Sequence, residues 1–405
     1  MNSATFVQNI FREYYTKDFS LSSFPSLIEK REFGFATFDG WMLRHKGFKD
    51  KEKLTAFLQD SVPRDAYVSC AYYEDPEAEM EKKGWTGADL IFDIDADHIP
   101  TPCGKIHDEW KCGNCGFSGK GVTPEKCPQC DSERFDTLTW PCNVCLDSAK
   151  SETTKLLDML MHDFGFSDSE VSVFFSGHRG YHVHVENETI KILDAISRKE
   201  IVDYVTGLGF DVAFHGLEEG KFLQGPSLND FGWRGRTAKA VYAFIENAKK
   251  EDFKQAGLQE NVIAIVTKNK DALLKSLEGV GTWSAVKGIG FETWKKLVQF
   301  CAQSRSAKVD TVVTTDIHRL IRLADTLHGK TGLRKTMVSI SALADFDPFK
   351  SAVAFKTGTA KVIVSSAPEF RIGDETFGPY ENRKVELPTA AAILLVCKDR
   401  AEVLG

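Results

Sequence analysis

The sequence lacks the marks of a membrane or secreted protein. No run of about eighteen consecutive apolar residues occurs, so no spanning helix is expected. The stretch Met1–Tyr15 carries Arg12 and Glu13 and has no apolar core of the kind a secretory leader needs. A cytoplasmic location and no membrane partner are therefore expected. Positive charge is also short: 51 Lys and Arg face 58 Asp and Glu, for a net charge of −7. Any contact with nucleic acid must come from a locally basic surface. Heptads, internal repeats and low-complexity tails are absent. What remains is a chain of 405 residues, 42% hydrophobic and 27% charged, which reads as globular and too long for one small domain.

Cysteine is not scarce, but it is unevenly placed. Of the ten, Cys103, Cys112, Cys115, Cys127, Cys130, Cys142 and Cys145 crowd into one segment, while Cys70, Cys301 and Cys397 stand apart. In a cytosolic chain, C-x-x-C pairs point to metal rather than disulfides. C-G-N-C (Cys112, Cys115) and C-P-Q-C (Cys127, Cys130) are two knuckles whose freed main-chain N–H groups stabilise sulfur charge. Four such thiolates make a closed tetrahedral site for Zn²⁺. Cys103, Cys142 and Cys145 then need a fourth ligand. His107, four residues after Cys103, completes a Cys₃His set, and His98 is the competing histidine. The order is nested, with the inner group inserted in a loop that the outer group closes.

Upstream lies A-D-L-I-F-D-I-D-A-D, Ala88–Asp97. Its apolar residues are β-prone, and period-two alternation puts Leu90, Phe92 and Ile94 on a core face and Asp93 with Asp95 on the other. Carboxylates that close repel unless a cation lies between them, and oxygen-only ligands favour Mg²⁺ or Mn²⁺. Downstream, Val171–Val185 reads as strand, Gly-bounded turn and strand, with Ser176, His178 and Arg179 in the turn and His182 and His184 sharing one face. Such a turn can donate several hydrogen bonds to a triphosphate. Later, Arg319–Lys335 holds five Lys or Arg and one acid, Asp325, and it includes a Gly-bounded loop with His328 and Lys330 suited to phosphate.

The rest is coarser. A helix over Phe6, Ile10 and Tyr14, a strand Arg31–Trp41 turning at Asp39-Gly40, a helix Lys49–Gln59 and a strand Ala66–Tyr73 precede the acidic strand. Ser151–Phe164 and Lys191–Leu208 read as helices. Gly216–Arg236, with W-R-G-R at Trp233–Arg236, reads as a loop. Helical patterns then run to Ser304, broken at Gly279-Val280-Gly281 and Gly288-Ile289-Gly290, with Trp283 and Trp294 expected in the core. Val309–Thr315 is β-prone with Asp310 near its start, Asp316–Leu323 reads as a helix, and Val353–Arg400 reads as short strands and an apolar helix that complete or cover the sheet.

In this order, the acidic pair, metal loop, S-G-H-R-G-Y-H (Ser176–His182), late Asp310 and R-L-A-D-T-L-H-G-K-T-G from Arg322 resemble the catalytic small subunit of the archaeal and eukaryotic DNA primase family. The resemblance covers roughly 31–335. It implies an α/β (α+β) chain: a primase-polymerase core of mixed sheet with flanking helices, a zinc-binding projection and a helical insertion. The expected division is core over 1–97, 148–215 and 305–405, zinc-binding insertion over 98–147 and mainly helical insertion over 216–304. It further implies that Asp93, Asp95 and Asp310 hold two Mg²⁺ or Mn²⁺ ions for in-line nucleotidyl transfer. Ser176, Arg179, His182, Arg322, His328 and Lys330 grip the nucleotide, with His182 as a phosphate donor rather than a base. The implied activity is synthesis of RNA primers from nucleoside triphosphates on single-stranded DNA, as a heterodimer with a large primase subunit. The cysteine knuckles 112/115 and 127/130 look like an addition to the family's usual zinc site. A repair-type polymerase that extends existing ends shares the same active-site residues. A zinc-dependent binding module without catalysis would account for the cysteines alone.

Overall fold

The computed structural model describes residues 2–219, 223–279, 283 and 286–404. Val280 and Gly281, of the break expected at 279–281, lie outside the described residues. The chain forms two compact units: Met1–Thr153 with Asp168–Lys199 and Val309–Gly405, and Thr154–Ser167 with Glu200–Lys308. None of the described helices is long and apolar enough to cross a membrane.

The first unit is built on two four-stranded sheets. One runs in the spatial order Leu320–Arg322, Asp65–Ser69, Phe33–Ala36, Met42–Lys46. The other runs Thr336–Val338, Val171–Phe175, Gly180–Val185, Leu90–Asp95. Every pairing in both is antiparallel. Alternation explains the second sheet. Phe92, Ile94, Tyr181 and Val183 are buried on the core face, while Asp93, Asp95, His182 and His184 share the other. The register sets His182 opposite Asp93 and Gly180 opposite Asp95. A Cβ on Gly180 would lie 2.3 Å from the Ile94 carbonyl oxygen, so only glycine lets the two strands meet there.

The N-terminal helix, Ser3–Glu13, is capped by the Asn2 side chain and buries Val7 and Phe11. Just beyond it, Tyr14 donates from its hydroxyl to the Asp325 carbonyl (2.7 Å), and the Tyr15 hydroxyl accepts the Leu327 N–H (3.3 Å). The helix thereby ties down the late basic loop. Asp325 has a left-handed backbone (φ 60°), held by its carboxylate accepting from the Ser22 N–H and hydroxyl at 2.8 and 2.9 Å.

Three expectations are corrected. Val309–Thr315 is not a strand: Thr311–Thr315 is a short helix, because the Asp310 carboxylate caps it by accepting from Val312 and Val313 N–H. Asp316–Leu323 is not a helix, since Leu320–Arg322 instead pairs with Asp65–Ser69. The C-terminal strands Thr359–Ala367, Tyr380–Pro388 and Ala401–Val403 form a sheet of their own, joined to neither four-stranded sheet. The Thr389–Cys397 helix lies against that sheet and against the N-terminal helix.

The second unit is helical: Gly232–Asn247, Lys250–Gln255, Glu260–Lys268, Lys270–Glu278 and Phe291–Arg305. Trp233–Arg236, expected in a loop, forms the first turn of its longest helix. Its core holds Trp283 and Trp294, both buried, with ring centroids 4.9 Å apart. As expected, these rings serve packing.

Candidate active site and metal centres

Leu90–Asp95 is an edge strand, and an edge leaves a row of main-chain groups without a strand partner. One of them, the Asp93 carbonyl, accepts the Asp310 N–H at 2.8 Å. The short helix that follows packs on the same strand. Two acids remote in sequence are thus fixed side by side. Burial first, then Asp95 and Asp310, push the Asp93 carboxyl up to about 7. Burial also raises Asp95, against the pull of Arg179.

Each of these carboxylates has a main-chain or ring neighbour. The Asp95 carboxylate accepts the Asp97 N–H (2.9 Å), and Asp310 caps its helix through one oxygen. Asp93 Oδ1 lies 3.5 Å from His182 Nε2. The three do not converge as tightly as the cysteine groups described below, whose donor atoms all lie within 4.8 Å of one another. Three neighbouring oxygen donors, with Asp93 driven toward its protonated form by burial and then by the other two, match the chemistry of a hard divalent ion.

The turn of Ser176, His178 and Arg179 is anchored elsewhere. Ser176 donates its N–H to the Gly180 carbonyl at 2.9 Å, closing the hairpin, and its hydroxyl accepts the His178 N–H at 3.3 Å. Gly177 has φ 89°, and a Cβ there would come within 3.0 Å of the His328 Cβ. The Thr331 hydroxyl donates to the Gly177 carbonyl at 2.6 Å. Turn and H-G-K-T-G loop are therefore one seam, and His178 stacks on His328 with centroids 5.3 Å apart. Burial, with Lys335 and His184 next in weight, holds His182 well below its ordinary value, so its ring is neutral. Burial does the same to His178 and His328.

Two of the expected phosphate ligands are already committed. Arg179, fully buried, pairs with Asp97 and donates to both Asp108 oxygens at 3.0 and 2.8 Å. Arg322 donates to Asp65 at 2.6 Å and to the Leu327 carbonyl at 3.2 Å. Asp65 also accepts the Gly329 N–H at 2.8 Å. These arginines hold the loops in place, while Ser176, His182, His328 and Lys330 lie along the seam and the acidic strand. Lys335 was legible only as part of the basic stretch. It is buried, donates to the Arg322 carbonyl at 2.7 Å and lies 4.6 Å over the Phe174 ring. Burial, then Arg322, lowers its ammonium well below the ordinary value.

Among the described residues two groups gather soft donors: Cys103, His107, Cys142 and Cys145, and Cys112, Cys115, Cys127 and Cys130. Neighbouring donors are spaced 3.5 to 4.0 Å, for example Cys112–Cys130 and Cys115–Cys127 at 3.6 Å. A tetrahedron with Zn–S bonds near 2.3 Å has edges of about 3.8 Å, so both sets fit that ion. His107 takes the fourth place in the outer set, and His98 is exposed and outside it. His107 Nδ1 lies 2.8 Å from Asp108 Oδ1, the partner a ligating histidine ordinarily has. Asp108 also accepts the Trp140 N–H at 3.0 Å. One buried carboxylate thus joins the outer metal group to Arg179 of the turn.

The DNA primase small subunit family model matches residues 136–340, which contain the turn, Asp310 and the basic loop. Proteins called DNA primase small subunit PriS resemble the chain over nearly its whole length. That of Nitrosopumilus maritimus is 31% identical over 98% of both chains. That of Methanothrix thermoacetophila is 33% identical over 99% of both, and that of Methanoregula boonei 32% over 100% of both. The chain belongs to the DNA primase small subunit family. The family match ends before the C-terminal strands and begins after the knuckles and the acidic strand, so it does not reach Asp93 and Asp95.

Proposed function

We propose that this chain is the catalytic subunit of a primase that makes short RNA primers on single-stranded DNA from nucleoside triphosphates. The observation that carries the reading is the bond from Asp310 to Asp93, which brings a third acid to the Asp93–Asp95 strand beside a seam of neutral imidazoles and buried cations. Asp93, Asp95 and Asp310 would hold Mg²⁺ or Mn²⁺. Bound there, such ions would supply the charge that lowers the pKa of an attacking 3′-hydroxyl and offsets that of leaving pyrophosphate. The chain's own residues position the reactants. His182, neutral and facing Asp93, donates its ring N–H to a phosphate oxygen. Ser176, His328 and Lys330 offer further donors along the seam. Arg179 and Arg322, locked by Asp108 and Asp65, keep the turn and loop in register.

The cysteine groups would each hold a structural Zn²⁺, making 98–147 a zinc-binding insertion. The core would comprise 1–97, 148–215 and 305–405, with 216–304 a mainly helical insertion. A heterodimer with a large primase subunit, and work in the cytoplasm, belong to the same reading. The test is incubation with unprimed single-stranded DNA, nucleoside triphosphates and Mn²⁺ or Mg²⁺. Dinucleotide formation is expected. Extension of supplied ends without any dinucleotide would favour a repair-type polymerase instead.

A further inference from the structure

The C-terminal helix Thr389–Cys397 is buried along almost its whole length, and the next residue, Lys398, is only 4% exposed. An ammonium is costly to bury without a counter-charge. Lys398 Nζ lies 2.9 Å from His178 Nε2, which is also 3.3 Å from the Thr139 hydroxyl. Since His178 is neutral, its ring nitrogen accepts and the lysine donates. His178 stacks on His328, so Lys398 ends where the S-G-H-R turn meets the H-G-K-T-G loop.

The charge around it is mainly of its own sign. Burial, then Lys330 and Arg179, lower its ammonium to about 7. Among the described residues neither Lys398 nor Lys330 has a carboxylate partner, whereas Arg179 and Arg322 are paired with Asp97, Asp108 and Asp65. Among the described residues these two lysines, with Lys335, are cations near the seam without a carboxylate ion pair, left to meet an incoming anion. Nothing in the apolar run T-A-A-A-I-L-L-V-C preceding Lys398 marks it as functional.

We propose that Lys398 is a nucleotide-binding residue, contacting phosphate oxygens of the bound nucleoside triphosphate from the C-terminal region of the chain. This rests on the primase reading above, which supplies the ligand. A polyphosphate accepts charge-assisted hydrogen bonds and relieves the repulsion between Lys398, Lys330 and Arg179.

The test compares full-length wild type with Lys398→Met and Lys398→Arg. Lys398→Met is expected to raise KM for the nucleoside triphosphate roughly tenfold or more, as loss of a charged hydrogen bond should. kcat should change much less, and Lys398→Arg should recover most of the loss. A KM equal to wild type in Lys398→Met overturns the proposal, as does an equal loss in both variants, which marks a packing role. Should Lys398→Met not fold, unmodified protein answers. Pyridoxal phosphate followed by borohydride should label Lys398, with ATP protecting it; no label on Lys398 overturns the proposal. Wild type that binds no nucleoside triphosphate and forms no dinucleotide would remove the primase reading itself. An active wild type beside an indifferent Lys398→Met removes only this one.

Discussion

Asp310 gives its main-chain N–H to the Asp93 carbonyl across 2.8 Å, although the two stand far apart in the chain. The contact does not depend on either carboxylate, so backbone placement and side-chain charge can be separated by mutation. Asparagine caps a helix about as well as aspartate. Asp310→Asn should therefore keep the Thr311–Thr315 cap and the melting temperature, yet cut nucleotide incorporation by roughly a hundredfold or more through loss of a metal ligand. Asp310→Ala should lose the same activity and, in addition, about 1 kcal/mol of stability. Near-normal incorporation by the asparagine variant would show that Asp310 is only a cap.

The raised Asp93 carboxyl predicts a pH signature in ion-free protein. Its value is about 7 in the folded chain, against an ordinary carboxyl near 4. Between those values the native state keeps a proton that the unfolded state has released. Stability of the ion-free protein should thus fall as pH rises through this window. Mn²⁺ requires the deprotonated group, so its affinity should climb toward pH 7 and flatten above it. Calorimetry and melting curves at several pH values check both, and Asp93→Asn should abolish the dependence.

The two cysteine groups predict separable metal contents. Elemental analysis should find two zinc ions per chain in wild type. Cys130→Ser should lose the ion of the inner group and His107→Ala that of the outer, each leaving the other in place. A single ion in wild type, or loss of both from either variant, would contradict two independent sites.

Asp108 predicts a link that does not involve metal loss alone. It serves His107, the Trp140 N–H and Arg179, and Arg179 is buried. Asp108→Asn removes one of the two counter-charges of a buried guanidinium and leaves Asp97, so the cost should stay below the about 3–5 kcal/mol of a fully unpaired buried charge. Thermal unfolding should register it, and Arg179→Met with Asp108→Asn together should cost less than the two single changes summed.

Much of this was legible beforehand because it rests on local pattern. Alternation in L-I-F-D-I-D and V-S-V-F-F gave the strands, and C-x-x-C spacing gave the metal groups. The failures have one cause, which is tertiary context overriding propensity. V-V-T-T looked like a strand, yet an aspartate cap and an edge strand turned it into a helix. Leu320–Arg322 looked helical, yet the Asp65–Ser69 strand had an open flank to fill. The carboxylate partners of Arg179 and Arg322, Asp108 and Asp65, were likewise not legible, because they lie far from them in the chain. Lys398 was invisible for the same reason, since only folding brings it to His178.

Among the described residues, Asp310 and the short helix after it lie on the free flank of the strand bearing Asp93 and Asp95, and they leave the ribosome long after it. A nascent or truncated chain that stops short of them would carry an uncapped β-edge and no third carboxylate. Such a product would lack one carboxylate of the proposed metal site and would expose an edge open to edge-to-edge association, so the proposed centre assembles only once synthesis has passed Asp310.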